Sequence, residues 1–321
     1  MEEKQRLKEL HGRMNKTGLI VGAYYGLMNL GVTVVMLVDL IIYLIRNIDT
    51  WTLESLAEHI IEFATANGWG YLLAVGVGAL SVVLWKGISF WKDQVFAREK
   101  KMTPAAFGQL FCVFMSVQAL LQFIAPLVEW LLNLMGLSML AAMEAASISS
   151  TSVSMFLYVS IIGPIAEELL FRGLLLRILK PYGKRFAIFA SAILFGLLHG
   201  NVVQIPFAAL VGLVLGYVTL EYSIGWAIVL HIFNNFVLSD LLGRLAEVLP
   251  EGIGGILLFA ILLFSAIIAL AVLIAQRADI KAYRKSDPMD RLALKAFFTS
   301  PIILIFAILM LLSSLLTITR I

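Results

Sequence analysis

Nine apolar runs, most of them long enough to cross a bilayer, follow one another along the 321 residues. A helix needs about 20 mainly apolar residues to span the hydrocarbon core, and that core offers no partner to an open backbone. The runs lie near 18–45, 70–90, 104–134, 152–179, 186–201, 203–220, 224–240, 253–275 and 296–318. The fold class that follows is all-α: a polytopic transmembrane helical bundle of about eight to nine spans. Only 14% of the residues are charged, against roughly a quarter in soluble domains. No ten-residue apolar/polar alternation points to a barrel. The single cysteine, Cys112, sits in an apolar run. An internal disulfide and a cysteine-built zinc site are therefore excluded, and Cys112 reads as a small packing residue.

The loops divide by charge. Basic residues gather at the N-terminus (Lys4, Arg6, Lys8, Arg13, Lys16), in 92–101, at Lys180, Lys184 and Arg185, and across 277–295. The loop 46–69 is acidic and 136–151 has no basic residue. Alternating nine spans puts every basic cluster on one side, which the positive-inside bias makes the cytoplasm. The N-terminus is then cytoplasmic and the C-terminus outside, in what reads as a bacterial cell membrane. The run from Gly18 is too long for a cleaved leader and no small-residue site closes it, so it is expected to be retained. The chain divides into an amphipathic cytoplasmic lead-in (1–17), N-terminal spans (18–150), core spans (151–240) and C-terminal spans (241–321). "TLESLAEHIIEFA" in the acidic loop suggests a short interfacial helix. The lipid bilayer is one expected partner; nucleic acid is not.

Against this background "IIGPIAEELLFRG" (161–173) is anomalous, with Glu167, Glu168 and Arg172 inside an apolar run. An ionisable group at mid-membrane costs about 2.5–3.5 kcal/mol on insertion scales and usually faces a cavity or a partner. Two further runs carry polar groups: His199, and His231 with Asn234 and Asn235. Measured from the basic turns at Lys180 and Arg185 and from Glu221, Glu167, His199 and Asn235 lie about 20 Å along their helices and His231 about 15 Å. Three helices therefore bring polar groups to similar depth. Glu168 and Arg172 are i, i+4 and can pair, while Glu167 is turned about 100° away. His231 and Asn235 share the i, i+4 spacing, as do Phe195 and His199, whose ring can fix the imidazole. Asn234, off the His231 face, reads as an interhelical hydrogen bond. Pro164 is expected to kink its helix, and Gly196, Gly200, Gly212 and Gly216 to let helices approach closely. The predicted result is a hydrated cavity at Glu167, closed by the fifth and seventh spans.

The three motifs "EELLFR" (167–172), "FGLLH" (195–199) and "HIFNN" (231–235), in this order and spacing, resemble the CPBP family of intramembrane proteases. That family includes the CAAX prenyl endopeptidases and bacterial bacteriocin-processing and self-immunity proteins. The resemblance covers about residues 150–240. It implies peptide-bond hydrolysis on a membrane-embedded or membrane-associated peptide or protein. By motif position, Glu167 and His199 would activate water, His231 and Asn235 would hold the oxyanion, and Glu168, Arg172 and Phe195 would support them. No cofactor is expected. If the site were metal-dependent, Glu167, His199 and His231 would be the zinc ligands, although the HExxH signature is missing. The alternatives are a non-catalytic membrane scaffold or a bacteriocin self-immunity protein using the same cavity, and a proton-coupled transporter. The transporter reading lacks the repeats and paired interrupted helices of that class.

Overall fold

Helices account for nearly all regular structure, as they must where hydrocarbon cannot satisfy backbone groups. The computed structural model describes residues 2–147, 150, 152–241, 249, 250 and 252–321. In chain order the helices are α1 (Glu2–Arg46), α2 (Leu53–Ala66), α3 (Trp69–Phe90), α4 (Pro104–Asn133) and α5 (Leu140–Ser147). Then come α6 (Val153–Tyr182), α7 (Lys184–Leu198), α8 (Gln204–Glu221) and α9 (Ile224–Ile232), the last continuing as a π-helix over Phe233–Leu241. The chain closes with α10 (Ile253–Ala275), α11 (Arg277–Ser286), α12 (Arg291–Thr299) and α13 (Pro301–Leu315).

Among the described residues six helices are long and apolar enough to cross a membrane, or seven if the α12–α13 pair is one span. The protein is an integral membrane protein. The count of eight to nine is approached by adding α7 and α9, which are too short to qualify alone. The run at 296–318 is not straight: its helix bends by 59° between Thr299 and Pro301, because proline cannot continue the hydrogen-bond ladder behind it. The lead-in and the first span form one helix, α1. In the acidic loop, α2 starts on a capping box between Thr52 and Ser55, which satisfies its first amides.

The charged loops meet at one end of the bundle. Arg6 pairs with Asp290, Lys180 with Glu99, and Lys100 and Lys184 both with Glu221, at 2.8 and 2.9 Å. Asp287 accepts from the Lys184 and Arg185 amides. The hydrogen bond to Glu221 raises the pKa of the Lys100 ammonium above its ordinary value. At the other end Leu137–Ser138 and Thr319–Arg320 form a two-residue antiparallel pair. The basic clusters and the C-terminal residues thus lie on opposite faces.

The centre is α6 to α9. α7 and α8 share the most extensive helix contact, a hairpin in which residue numbers across the seam sum to about 404. Gly212 faces Ala192 and Gly216 faces Ile188. A Cβ on Gly196 would stand 2.5 Å from the Ile205 carbonyl oxygen. Gly200 plays a different part from the close packing expected of it. Its φ of +59° reverses the chain after α7, a left-handed turn that glycine adopts without a steric penalty. On one flank α1, α3, α12 and α13 pack against this centre through Met14, Val21, Phe297, Ile303 and Phe306. On the other, α4 joins α8 and α9 through Phe114, Leu215 and Leu230, and α10 lies outside α4. Ile256, Phe264 and Leu270 of α10 stay exposed, as lipid-facing side chains do.

Because the Ile205 carbonyl blocks any side chain at position 196, Gly196→Val should force the hairpin apart. Overpacking of this kind costs about 1–3 kcal/mol, and the thermal midpoint of the purified protein in detergent should fall accordingly.

Candidate active site

α6 does not simply kink at Pro164. Its ladder passes through π-helical stretches at Leu157–Ile162 and Leu169–Leu175, with the α-helical turn Gly163–Glu168 between them. Such stretches are frequent at functional sites and re-aim side chains relative to an unbroken helix. Pro164 lies inside the continuous α6, and the N–H it lacks leaves the Val159 carbonyl, five residues back in the π-helical register, free to accept from Asn235.

Glu168 and Arg172 are both at 0% exposure. Arg172 Nε lies 3.3 Å from Glu168 Oε2. This is close enough for strong attraction, but it is not aligned as a hydrogen bond, and among the described residues neither atom has a hydrogen-bond partner. The guanidinium instead lies over the Phe195 ring at 4.3 Å, a cation–π contact worth about 2 kcal/mol when desolvated. The other carboxylate oxygen, Glu168 Oε1, is 3.0 Å from His231 Nδ1. A carboxylate only accepts, so Nδ1 carries the hydrogen. His231 Nε2 is 3.6 Å from Glu167 Oε2. His231 thus stands between the two glutamates, hydrogen-bonded to Glu168 and next to Glu167 without a hydrogen bond to it.

Phe195 is the packing hub. Its ring meets His199 at 5.0 Å and His231 at 5.7 Å, both edge to face. His199 Nδ1 is 2.9 Å from the Phe195 carbonyl oxygen. That carbonyl can only accept, so the Nδ1 proton is fixed and neutral His199 offers Nε2 as an acceptor.

Glu167, His199 and Asn235 line one cavity of about 420 Å³. Glu167 is 25% exposed, whereas His231 is buried and not part of the wall. The i, i+4 spacing would put His231 and Asn235 on one face of an α-helix. The π-helix beginning at Phe233 bonds i to i+5 and so rotates Asn235 off that face. Asn235 Nδ2 donates to the Val159 carbonyl at 2.9 Å, and its Oδ1 accepts from Asn234 at 2.9 Å. Asn234 in turn accepts from Gln118 on α4, so it does make an interhelical bond. It also belongs to a chain of amides that fixes the Asn235 rotamer. Among the described residues the second N–H of the Asn235 amide has no partner, on a residue that lines the cavity.

The cavity is wider in origin than the fifth and seventh spans. α1 contributes Tyr24 and Asn29, α3 contributes Tyr71, and α6 contributes Tyr158, which stacks on Tyr71 at 4.8 Å. These residues and Gln118 carry no charge and no motif spacing, so an apolar run containing them gives no signal. Only the doubled tyrosine at 24–25 and an asparagine at 29 in mid-run hint at them. As for zinc, His231 has both ring nitrogens against carboxylates, and no group of three or more His, Cys, Asp or Glu among the described residues is placed to hold a metal ion. The side chains as arranged do not fit the ion, and no step is derived through it.

Residues 149–237 match the family model described as Rce1-like, type II CAAX prenyl endopeptidase. The matched stretch contains all three motifs and agrees with the CPBP resemblance. At family level it supports an endopeptidase of the CAAX protease type. No curated protein matches the chain, and no solved structure does.

Removing one partner from a buried ion pair costs about 3–5 kcal/mol, while replacing both by apolar groups can be nearly neutral. Arg172→Met should therefore destabilise strongly, and adding Glu168→Leu should recover part of the loss. A double-mutant cycle on chaotrope unfolding in detergent measures both.

Proposed function

We propose that this protein is an intramembrane endopeptidase that hydrolyses a peptide bond in a membrane-associated peptide or protein. The observation that carries the reading is the shared cavity wall of Glu167, His199 and Asn235, within a stretch similar to type II CAAX prenyl endopeptidases. A carboxylate that can take and return a proton, an imidazole whose free acceptor nitrogen orients the water, and an amide donor for the oxyanion are what acyl transfer to water needs.

In this reading, water between Glu167 and His199 loses a proton to the Glu167 carboxylate while its oxygen attacks the carbonyl carbon. The carbonyl π electrons move onto oxygen, where the Asn235 N–H receives the developing charge. The C–N bond then breaks as the proton taken up by Glu167 passes to the leaving nitrogen, while His199 Nε2 accepts a hydrogen bond from the hydroxyl that the water has become. His231 backs Glu167 at 3.6 Å and donates to Glu168, whose own charge Arg172 balances. The oxyanion role that the motif pattern gives to His231 and Asn235 together falls mainly to Asn235 here. The face bearing the basic clusters is the cytoplasmic one, which puts the N-terminus inside and the C-terminus outside.

Glu167→Gln and His199→Ala should each abolish cleavage without lowering the amount of protein in the membrane. The check is to tag newly formed peptide N-termini in membranes from cells carrying the intact protein or either variant. Products found only with the intact protein support the reading, and products that persist in both variants contradict it. For orientation, the endogenous cysteine is first removed (Cys112→Ala). A cysteine replacing Lys285 should then react with a membrane-impermeant maleimide only in opened cells, and one replacing Leu137 in intact cells.

A further inference from the structure

Each helix that lines the cavity does so only from the level of Glu167 toward one face of the bundle. α1 runs out from the basic face, where Arg6 pairs with Asp290, and its wall residues begin at Tyr24 and continue through Asn29 to Thr33. α6 runs the opposite way, toward Lys180, and its wall residues stop at Glu167 after Tyr158 and Pro164. α7 gives only its last residue, Leu198, with His199 just after it, and α8 only its first, Gln204. α3 gives Tyr71 and Val75, near its start beyond the acidic loop. The cavity therefore extends from Glu167 away from the basic clusters.

On the basic side of Glu167 the packing is closed. Thr17 and Val21 of α1, Leu170, Phe171 and Leu174 of α6, and Phe195 of α7 are all at 0–1% exposure, and interiors packed to this degree leave few voids larger than a water molecule. On the other side Asn29 and Thr33, one turn apart on α1, are both wall residues and exposed, so the space is open at that level. The wall also restricts what can enter. Among the described residues that line it, Glu167 is the only carboxylate and there is no lysine or arginine. An acidic side chain would meet no cation there, and a basic one would occupy the carboxylate that must hold the water. A peptide main chain, by contrast, finds neutral hydroxyls and amides at Tyr25, Asn29, Thr33 and Gln204, and a buried polar group needs such partners.

We infer that the site is reached from the face opposite the basic clusters, and that its substrate is an uncharged stretch of polypeptide presented from that side. Such a stretch belongs to an exported peptide or to the outer half of a membrane-spanning segment. The direction of opening follows from the packing alone. The substrate class rests on the hydrolytic reading and the orientation proposed above.

Asn29→Cys and Thr33→Cys, each in the Cys112→Ala protein, are offered a small membrane-impermeant methanethiosulfonate in intact and in opened cells. Both should react where Leu137→Cys reacts, in intact cells and to the same extent, with no gain on opening. Reaction of either only where Lys285→Cys reacts, or reaction of neither, overturns the inference, and the hydrolytic reading stands as long as cleavage is lost in Glu167→Gln. For the substrate, the products lost in Glu167→Gln are mapped onto their parent chains, whose sequences tell an exported peptide from a membrane protein. The cuts should fall away from the parent's basic cytoplasmic flank, with no Asp, Glu, Lys or Arg adjoining them. Cuts beside that flank, or next to charged residues, overturn the substrate class. Products that persist in Glu167→Gln overturn the hydrolytic reading and the substrate class with it, while the labelling still decides the direction of opening.

Discussion

Burying the Glu168 carboxylate completely forces the arrangement of everything polar around it. An unpaired charge in that position would be far too costly, so one oxygen faces Arg172 and the other takes the His231 N–H. Arg172 has no acceptors for its remaining N–H groups among the described residues and spreads its charge over the Phe195 ring. Phe195 in turn sets both imidazoles by their edges. A charge pair too poorly aligned to be a good hydrogen bond is thus tolerated because an aromatic hub and a histidine complete it. The pair is better understood as a fixture for the neighbouring residues than as a source of stability.

Division of labour between the adjacent glutamates follows from helix geometry. One step along the chain turns Glu167 out of the packed centre and toward the cavity, where it stays partly exposed. His231 lies between the two, bonded to the buried glutamate and 3.6 Å from the exposed one. The π-helical stretches on α6 and after α9 make this possible, because they let Glu167 and Asn235 face one space while His231 stays behind.

Much of this was legible in the residues themselves. The long apolar runs at 104–134 and 253–275 translate directly into α4 and α10, and the spacing of Glu168 and Arg172 announces a contact. Other features depend on tertiary structure. The bend at Pro301 and the short lengths of α7 and α9 blur any count of spans made by hydropathy. A π-helical turn leaves no mark in the pattern, since the same residues would read as α-helix, and for that reason the separation of His231 from the cavity wall could not be foreseen. Tyr24, Tyr71 and Gln118 sit in runs where one polar tip among apolar neighbours is unremarkable. Their placement becomes visible only when α1, α3 and α4 close around the core. Gly200 looked like a packing glycine by its spacing and is instead a chain reversal, a distinction carried by a single dihedral angle.

The central claim is that Glu167 and His199 face one hydrated space inside the bilayer. An experimental structure in lipid nanodiscs, at a resolution that resolves water, tests it most directly. The account predicts an ordered water within hydrogen-bonding distance of both the Glu167 carboxylate and His199 Nε2. Those two side chains turned to separate faces, or packed together with no room for water between them, would contradict it.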